Sequence, residues 1–306
     1  MELLKLVKNT IIKEVEIFDK IPEGVSSINA PAFFEDGNYG KGIKIAIIDT
    51  GCDINHIDIK DRIIDTQNFT NENKFDHKDV TDYDGHGTHV AGIIAASGND
   101  KGIIGVAPKA ELLILKALTS KGGAYSWIIN AINYAITKKV DIINMSLGGK
   151  YNSVQLHYAI KKAVANNILV VVAAGNDGDG EWETNEINYP GAYNECISVG
   201  SVRYDDEESR FSASNDEVDL VAPGQGSGRR GIISLAPNNK YVELIGTSMA
   251  APHVAGALAL IKNWSKDYFG RELTEAELFA QLIKRTSSLG LSSRIEGNGV
   301  LDLNRK

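Results

Sequence analysis

The sequence predicts an α/β fold: a doubly wound, mostly parallel sheet with helices on both faces, in a single domain. Two observations carry this. Short apolar runs recur at residues 43–48, 112–117, 142–145, 169–174 and 196–199, each bounded by Gly, Asp or Asn. Between them lie stretches with helical spacing of apolar residues at 88–96, 126–136 and 154–166. Runs that are apolar throughout suit strands buried on both faces, and strand–helix alternation suits parallel neighbours joined by crossovers.

Taken in chain order, residues 1–20 form an N-terminal extension ahead of a folded unit spanning 21–306. The extension interleaves apolar residues with Lys5, Lys8, Lys13, Glu14 and Glu16, so it lacks the continuous apolar stretch of a secretory signal. The run 43–48 leads directly into Asp49-Thr50-Gly51, which places a carboxylate at a strand's carboxyl end. Residues 84–92, reading Asp-Gly-His-Gly-Thr-His-Val-Ala-Gly, open a helix with His86 just ahead of its first turn and His89 inside it. The run 169–174 leads into Gly175-Asn176-Asp177, placing a side-chain amide at another strand end. Gly246-Thr247-Ser248 precedes a nearly all-apolar helix over 250–261, with Pro252 read as a first-turn residue whose missing amide costs little there. Thr274 and Glu277 form a capping box opening a late helix toward Ile283.

Composition narrows the function classes. The chain has 306 residues, 43% hydrophobic and 24% charged, as in an ordinary globular enzyme. No segment approaches the roughly 20 apolar residues needed to cross a bilayer, so no membrane partner is expected. A formal net charge of -8 argues against nucleic acid, which demands a basic face. Cys52 and Cys196 both lie in apolar surroundings and read as a buried, reduced pair.

In such a sheet, ligands and reacting groups collect at the carboxyl ends of the strands. Alone, Ser248 reads as either a helix N-cap or a nucleophile near the positive end of a helix dipole. Asp49, His86 and Asn176 each have an equally plain reading as turn or cap residues. Together they supply the types that activated serine chemistry needs. A serine hydroxyl requires a base to take its proton, histidine has the matching pKa, a carboxylate fixes the histidine tautomer, and an amide can stabilise an oxyanion.

Asp49-Thr50-Gly51 after an apolar strand, the His86–Gly92 stretch, Ala173-Ala174-Gly175-Asn176 and Gly246-Thr247-Ser248-Met249-Ala250 together resemble the signature of the subtilisin family of serine peptidases. The resemblance extends over about residues 22–303. It implies Asp49 as orienter, His86 as general base and acid, Ser248 as nucleophile, and Asn176 with the Ser248 amide as oxyanion hole. It further implies that Ser146, Leu147 and Gly148 and the facing Gly122 and Gly123 clamp a peptide or protein substrate as an added strand. Tyr125 and Ile128 would form an outer apolar subsite. Ala173, Ala174, Gly175 and Asn188 would wall the pocket for the residue before the scissile bond, beside a loop rich in acidic residues from Asp177 to Glu186. A structural calcium ion is implied at Asp58, Ser97, Asn99, Lys101 and Ile103, an oxygen-donor set suited to a hard cation. His89 and His253 carry no catalytic role, and His56, His77 and His157 fall in polar surroundings with none assigned.

Ile21-Pro22-Glu23-Gly24, Ala30-Pro31 and Asp49-Thr50-Gly51-Cys52-Asp53 resemble the intracellular subtilisins of Bacillus-like bacteria. That implies a cytoplasmic, broadly degradative endopeptidase kept as a zymogen by its own extension lying across the cleft. The usual Leu-Ile-Pro-Tyr or Leu-Ile-Pro-Phe core of that extension is here Leu6-Val7-Lys8-Asn9. The chain ends without the tail that relatives exchange in dimers, so both monomer and homodimer stay open. Two alternatives remain: a dedicated precursor-processing protease, and an inactive peptide-binding relative.

Overall fold

The computed structural model describes residues 3–6, 10–14, 21–98, 102–228 and 230–305. Its strands, in chain order, are β1 (Lys5–Leu6), β2 (Thr10–Glu14), β3 (Lys44–Asp49), β4 (Ile63–Asn68), β5 (Glu111–Lys116), β6 (Ile142–Met145), β7 (Leu147–Gly148), β8 (Leu169–Ala173), β9 (Ile197–Arg203), β10 (Leu220–Gln225), β11 (Ile232–Ala236), β12 (Lys240–Ile245), β13 (Thr286–Ser287) and β14 (Val300–Leu301). The helices are α1 (Glu23–Ser27), α2 (Ala30–Phe33), α3 (His86–Ala95), α4 (Tyr125–Thr137), α5 (Val154–Val164), α6 (Thr247–Phe269), α7 (Glu275–Ile283) and α8 (Ser293–Glu296).

Nine strands form one sheet in the order β13-β14-β10-β9-β8-β6-β3-β5-β4, parallel at every pairing except β13 with β14. Strand β3 lies between β5 and β6, the two strands from which the chain winds away in opposite directions. This is the switch point where an open α/β sheet leaves a crevice. The tip of β3 is Asp49.

Burial follows from the apolar runs. Ile45 and Ile47 of β3 enter the core cluster shared with α3 and α6, whereas Ala46 and Ile48 enter the one shared with α4 and α5. Leu112 and Ile114 of β5 likewise face one layer and Leu113 and Leu115 the other. Both faces are covered, so the strands carry no polar alternation. Cys52 and Cys196 are buried and free, as expected. No helix among the described residues is long and apolar enough to cross a membrane.

Two helix starts differ from the sequence expectation. His86 and Ser248 are not ahead of their helices but inside the first turns: α3 begins at His86 with Gly85 as N-cap, and α6 begins at Thr247 with Gly246 as N-cap. Pro252 is accordingly within α6 rather than in its first turn. A proline there removes the amide that would bond the carbonyl four residues earlier, that of Ser248. The Ser146 hydroxyl takes its place, donating to the Ser248 carbonyl at 2.9 Å.

The end of β3 is held by a buried cation. Lys116, its neighbour across the β3–β5 pairing, is 1% exposed. Its ammonium donates to the Thr50 carbonyl at 2.6 Å and the Thr81 carbonyl at 3.0 Å, and pairs with Glu72 at 2.9 Å. A buried charge is tolerated only when paired and hydrogen-bonded in this way. It ties the loop ahead of α3 to the tip of β3.

Part of the extension is visible. Leu4 exchanges two backbone hydrogen bonds with Gly123, at 3.0 and 2.8 Å, and β1 pairs antiparallel with β7. Beyond it, β2 pairs antiparallel with β12, extending the β11–β12 hairpin. Leu6 is the last residue described on the first side; Val7, Lys8 and Asn9 lie outside the described residues.

Candidate active site

The carboxylate at the tip of β3 and the first residue of α3 meet directly. Asp49 Oδ1 and His86 Nδ1 are 2.6 Å apart, and both residues are 1% exposed. Asp49 Oδ1 also accepts the Thr50 amide at 2.7 Å. The geometry needs a glycine after the histidine, since a Cβ at Gly87 would run into the Gly51 carbonyl.

Helix α3 has no side chain at its N-cap, and its first amides are satisfied from outside. Asp82 accepts from the amides of Gly85 and Thr88, each at 2.8 Å, and from the hydroxyls of Thr50 at 2.8 Å and Thr88 at 2.6 Å. Thr50 in turn accepts the Gly87 amide at 2.9 Å. A carboxylate at a helix N-terminus is favoured by both the open amides and the dipole. Asp82, Thr50, Thr88 and Lys116 were not singled out by sequence. An Asp four residues before the first helical histidine was the one readable signal, of cap type.

Burial disfavours charge on His86, but attraction to Asp49 and its hydrogen bond, with Asp84 and Asp82 nearby, outweigh it. The net effect raises the His86 pKa above its usual 6.5. His89, on the same helix, moves oppositely. It is buried with Nε2 facing the carbonyls of Ile232 and Val242, and burial brings its pKa down to about 3. His253 is likewise pulled down to about 4 by burial. His56 is fully buried rather than on a polar surface, with Nε2 at 3.2 Å from the Lys240 carbonyl and Nδ1 accepting the Asp58 amide at 3.2 Å.

Asn176 and Ser248 are joined through Thr247. The Thr247 amide and hydroxyl both donate to Asn176 Oδ1, at 2.9 and 2.8 Å. With its oxygen so held, the side chain presents its amide group from beside the head of α6. Ser248 is fully buried, and its Oγ donates to the Ser146 carbonyl at 3.2 Å. Helices α3 and α6 pack together. Among the described residues, His86 Nε2 has no hydrogen-bond partner. The Asp–His half of the arrangement is thus formed, while the serine hydroxyl is turned toward Ser146.

Some of the residues expected to bind substrate flank β1 and the residue before it. Gly122 and Gly123 form one edge and Leu147 and Gly148 the other, with Leu4 to Leu6 between them. Ile128 is buried, and Leu4, fully buried, belongs to the same apolar cluster, against which Tyr125 packs. Ala173 ends β8, Ala174 and Gly175 follow it, and Asn188 lies on Gly175. Three acidic residues of the neighbouring loop have partners. Asp177 pairs with Lys150 at 3.0 Å, Asp179 accepts the Glu181 amide, and Glu186 accepts the Ser214 amide and hydroxyl.

The residues expected to hold calcium are partly in view. Asp58 is fully buried; its Oδ2 accepts the Ile103 amide at 2.9 Å and the Tyr241 hydroxyl at 3.0 Å. Its Oδ1 has no partner among the described residues. A buried carboxylate oxygen left open beside the main chain of Ser97 and Ile103 fits a hard cation. Asn99 and Lys101 lie outside the described residues. Among the described residues no three His, Cys, Asp or Glu side chains cluster for a metal, so carbonyl oxygens would have to complete the set.

Comparison with known proteins identifies the family. Residues 40–299 match the model of the subtilase family. The chain is 54% identical to an intracellular serine protease of Paenibacillus polymyxa, over 97% of this chain and 90% of that protein. It is 52% identical to the major intracellular serine protease of Bacillus subtilis (strain 168), over 99% of this chain and 93% of that protein. Against subtilisin E of the same organism identity is 43%, over 80% of this chain and 62% of that protein. By the extent of the family match and by these identities, the chain belongs to the subtilase family.

Proposed function

We propose that this chain is an intracellular serine endopeptidase that hydrolyses peptide bonds through an acyl-enzyme on Ser248. The observation that carries the reading is the buried 2.6 Å contact between Asp49 and His86, with the far ring nitrogen unpaired among the described residues and α3 packed against α6. In this mechanism Ser248 Oγ turns from the Ser146 carbonyl to His86 Nε2. It attacks the scissile carbonyl as its proton passes to Nε2, while Asp49 holds Nδ1–H and stabilises the imidazolium. The Asn176 amide and the Ser248 backbone N–H stabilise the oxyanion. The imidazolium then gives its proton to the leaving amine, and water, activated by the same nitrogen, hydrolyses the ester. The intracellular assignment is supported by the two relatives that carry that description. A fluorescent serine-directed phosphonate tests the reaction class. The full chain is expected to label, more slowly than the chain lacking residues 1–20, and Ser248→Ala not to label; labelling of Ser248→Ala, or of neither the full nor the shortened chain, contradicts the mechanism.

His86 must be neutral to act as base, so activity falls as pH drops through its raised pKa. The acidic limb of kcat/KM is expected above pH 6.5. Asp84 is one of the carboxylates that raise it, so Asp84→Asn should move that limb down by a few tenths of a pH unit. An unchanged or upward-shifted limb contradicts this electrostatic account.

Residues 1–20 are proposed to be an autoinhibitory segment. The support is that Leu4 to Leu6 run as a strand between the two edges assigned to substrate, with Leu4 filling the outer apolar subsite. A tethered competitor acts at high effective concentration, so deleting residues 1–20 should raise kcat/KM about tenfold or more. No gain on deletion overturns this role.

A calcium ion at Asp58, Ser97, Asn99, Lys101 and Ile103 is proposed as a structural support. Bound to the folded state alone, it would add stability, and a chelator should lower Tm by about 5 °C or more. An unchanged melting curve in chelator contradicts it.

A further inference from the structure

Arg285, just past the end of α7, is a buried charge that the reacting site does not use. It is 3% exposed, yet it forms part of the wall of a cavity of about 580 Å³. Its Nη1 donates to the Gln281 carbonyl at 2.9 Å, which caps the last turn of α7. Nε and Nη2 have no acceptor among the described residues, and no carboxylate there pairs with the guanidinium. It stacks on rings instead, 4.1 Å from the centre of Trp264 and 5.3 Å from that of Phe33. Burial pulls its pKa below the usual value, with no acidic neighbour to restore it. A buried cation is ordinarily matched by an anion, and an unmatched one is costly.

The cavity lies between α2, the ends of α6 and α7, and residues 303–305. Its wall inverts the charge of the chain: Lys284, Arg285 and Arg305 line it with one carboxylate, Asp36, although the whole chain carries a net charge of -8. Its apolar part is aromatic. Trp264 stacks on Tyr268 with ring centroids 4.9 Å apart, and Phe269 sits edge-on to both. Tyr268 and Phe269 stay 69% and 43% exposed. A concave wall of rings with a few convergent charges is the composition of a small-molecule site. Helix α6 carries Ser248 at one end and this cavity at the other; its 23 residues span about 35 Å.

We propose that this cavity binds a small organic anion: a flat aromatic ring bearing a carboxylate or a phosphate. The planar donors of Arg285 suit the paired oxygens of either group, and Lys284 and Arg305, both exposed, add charge at the rim. The open ring surface of Tyr268 and Phe269 takes the aromatic body. An uncharged ring leaves Arg285 unmatched, a cation meets three like charges, and a bare inorganic anion leaves the rings in water. None of this depends on the peptidase reading.

Isothermal titration of the full chain compares naphthoate, naphthyl phosphate, uncharged naphthamide, cyclohexanecarboxylate and inorganic phosphate. One of the two naphthyl anions is expected to bind with a Kd of about 1 mM or tighter, at least about tenfold tighter than the other three probes. Whichever naphthyl anion binds better tells a carboxylate ligand from a phosphate ligand, and either supports the proposal. Arg285→Met, which keeps the packing but not the charge, should weaken binding about tenfold or more, and Arg285→Lys less. Tyr268→Ala should erase most of the advantage of naphthoate over cyclohexanecarboxylate. Should Arg285→Met fail to fold, Lys284→Met and Tyr268→Ala, both at exposed positions, carry the same comparison. Failure of the full chain to bind either naphthyl anion at about 10 mM overturns the proposal and leaves Arg285 as a helix cap only. Equal affinity for naphthamide overturns it too, as does binding unchanged in the charge and ring variants, or a concentration-dependent dimer that excludes the probe. Phosphonate labelling of Ser248 is read separately, so failure here leaves the peptidase reading intact.

Discussion

The buried hydrogen bond between Asp49 and His86 is the contact on which the rest of the site depends. It joins the tip of a central strand to the first turn of a helix, and both partners are almost wholly removed from water. Such a pair is stable only if each side is fixed independently, because a misaligned buried carboxylate loses solvation without recovering it. Strand β3 is fixed by its neighbours β5 and β6. Helix α3 is fixed by Asp82 and Thr50 at its open amides. Lys116 binds the two supports together from behind. The serine side is built separately: Pro252 leaves the Ser248 carbonyl open, and Ser146 takes it.

Burial alone would make every histidine near this centre inert. His89 and His253 show that outcome, each facing main-chain carbonyls with its pKa pulled far down. His86 escapes because carboxylates face it rather than carbonyls. One helix turn therefore carries two histidines whose protonation is set in opposite directions by what lies across from them.

Much of this was legible in the sequence because buried parallel strands and helix openings leave short-range signals. The five apolar runs found five central strands, and the residues at their carboxyl tips found Asp49 and Asn176. The edge strand β4, reading Ile-Ile-Asp-Thr-Gln-Asn, has a polar, half-exposed face and no continuous apolar run, so it was passed over. The β11–β12 hairpin and β10 were missed as well. Lys116 was hidden within an apolar strand run, since its role depends on carbonyls from Thr50 and Thr81 that only the fold brings near. His56 misled for the opposite reason: its sequence neighbours are polar, yet Tyr241 packs edge-on against it and the fold buries it. Pro252 was placed one turn too early because its compensating hydroxyl comes from Ser146, more than a hundred residues away. The roles of the four reacting residues came from family resemblance; the polar scaffold that holds them came only from the three-dimensional arrangement.

The central claim is that Asp49 holds the Nδ1 proton of His86 in a buried hydrogen bond. Proton NMR of the full chain, with histidine 15N labelling, observes that proton directly. The account predicts a far-downfield resonance coupled to a histidine Nδ1, present at neutral pH in the full chain and in Ser248→Ala, and lost in Asp49→Ala. Absence of such a resonance in the folded full chain, or its survival in Asp49→Ala, would contradict it.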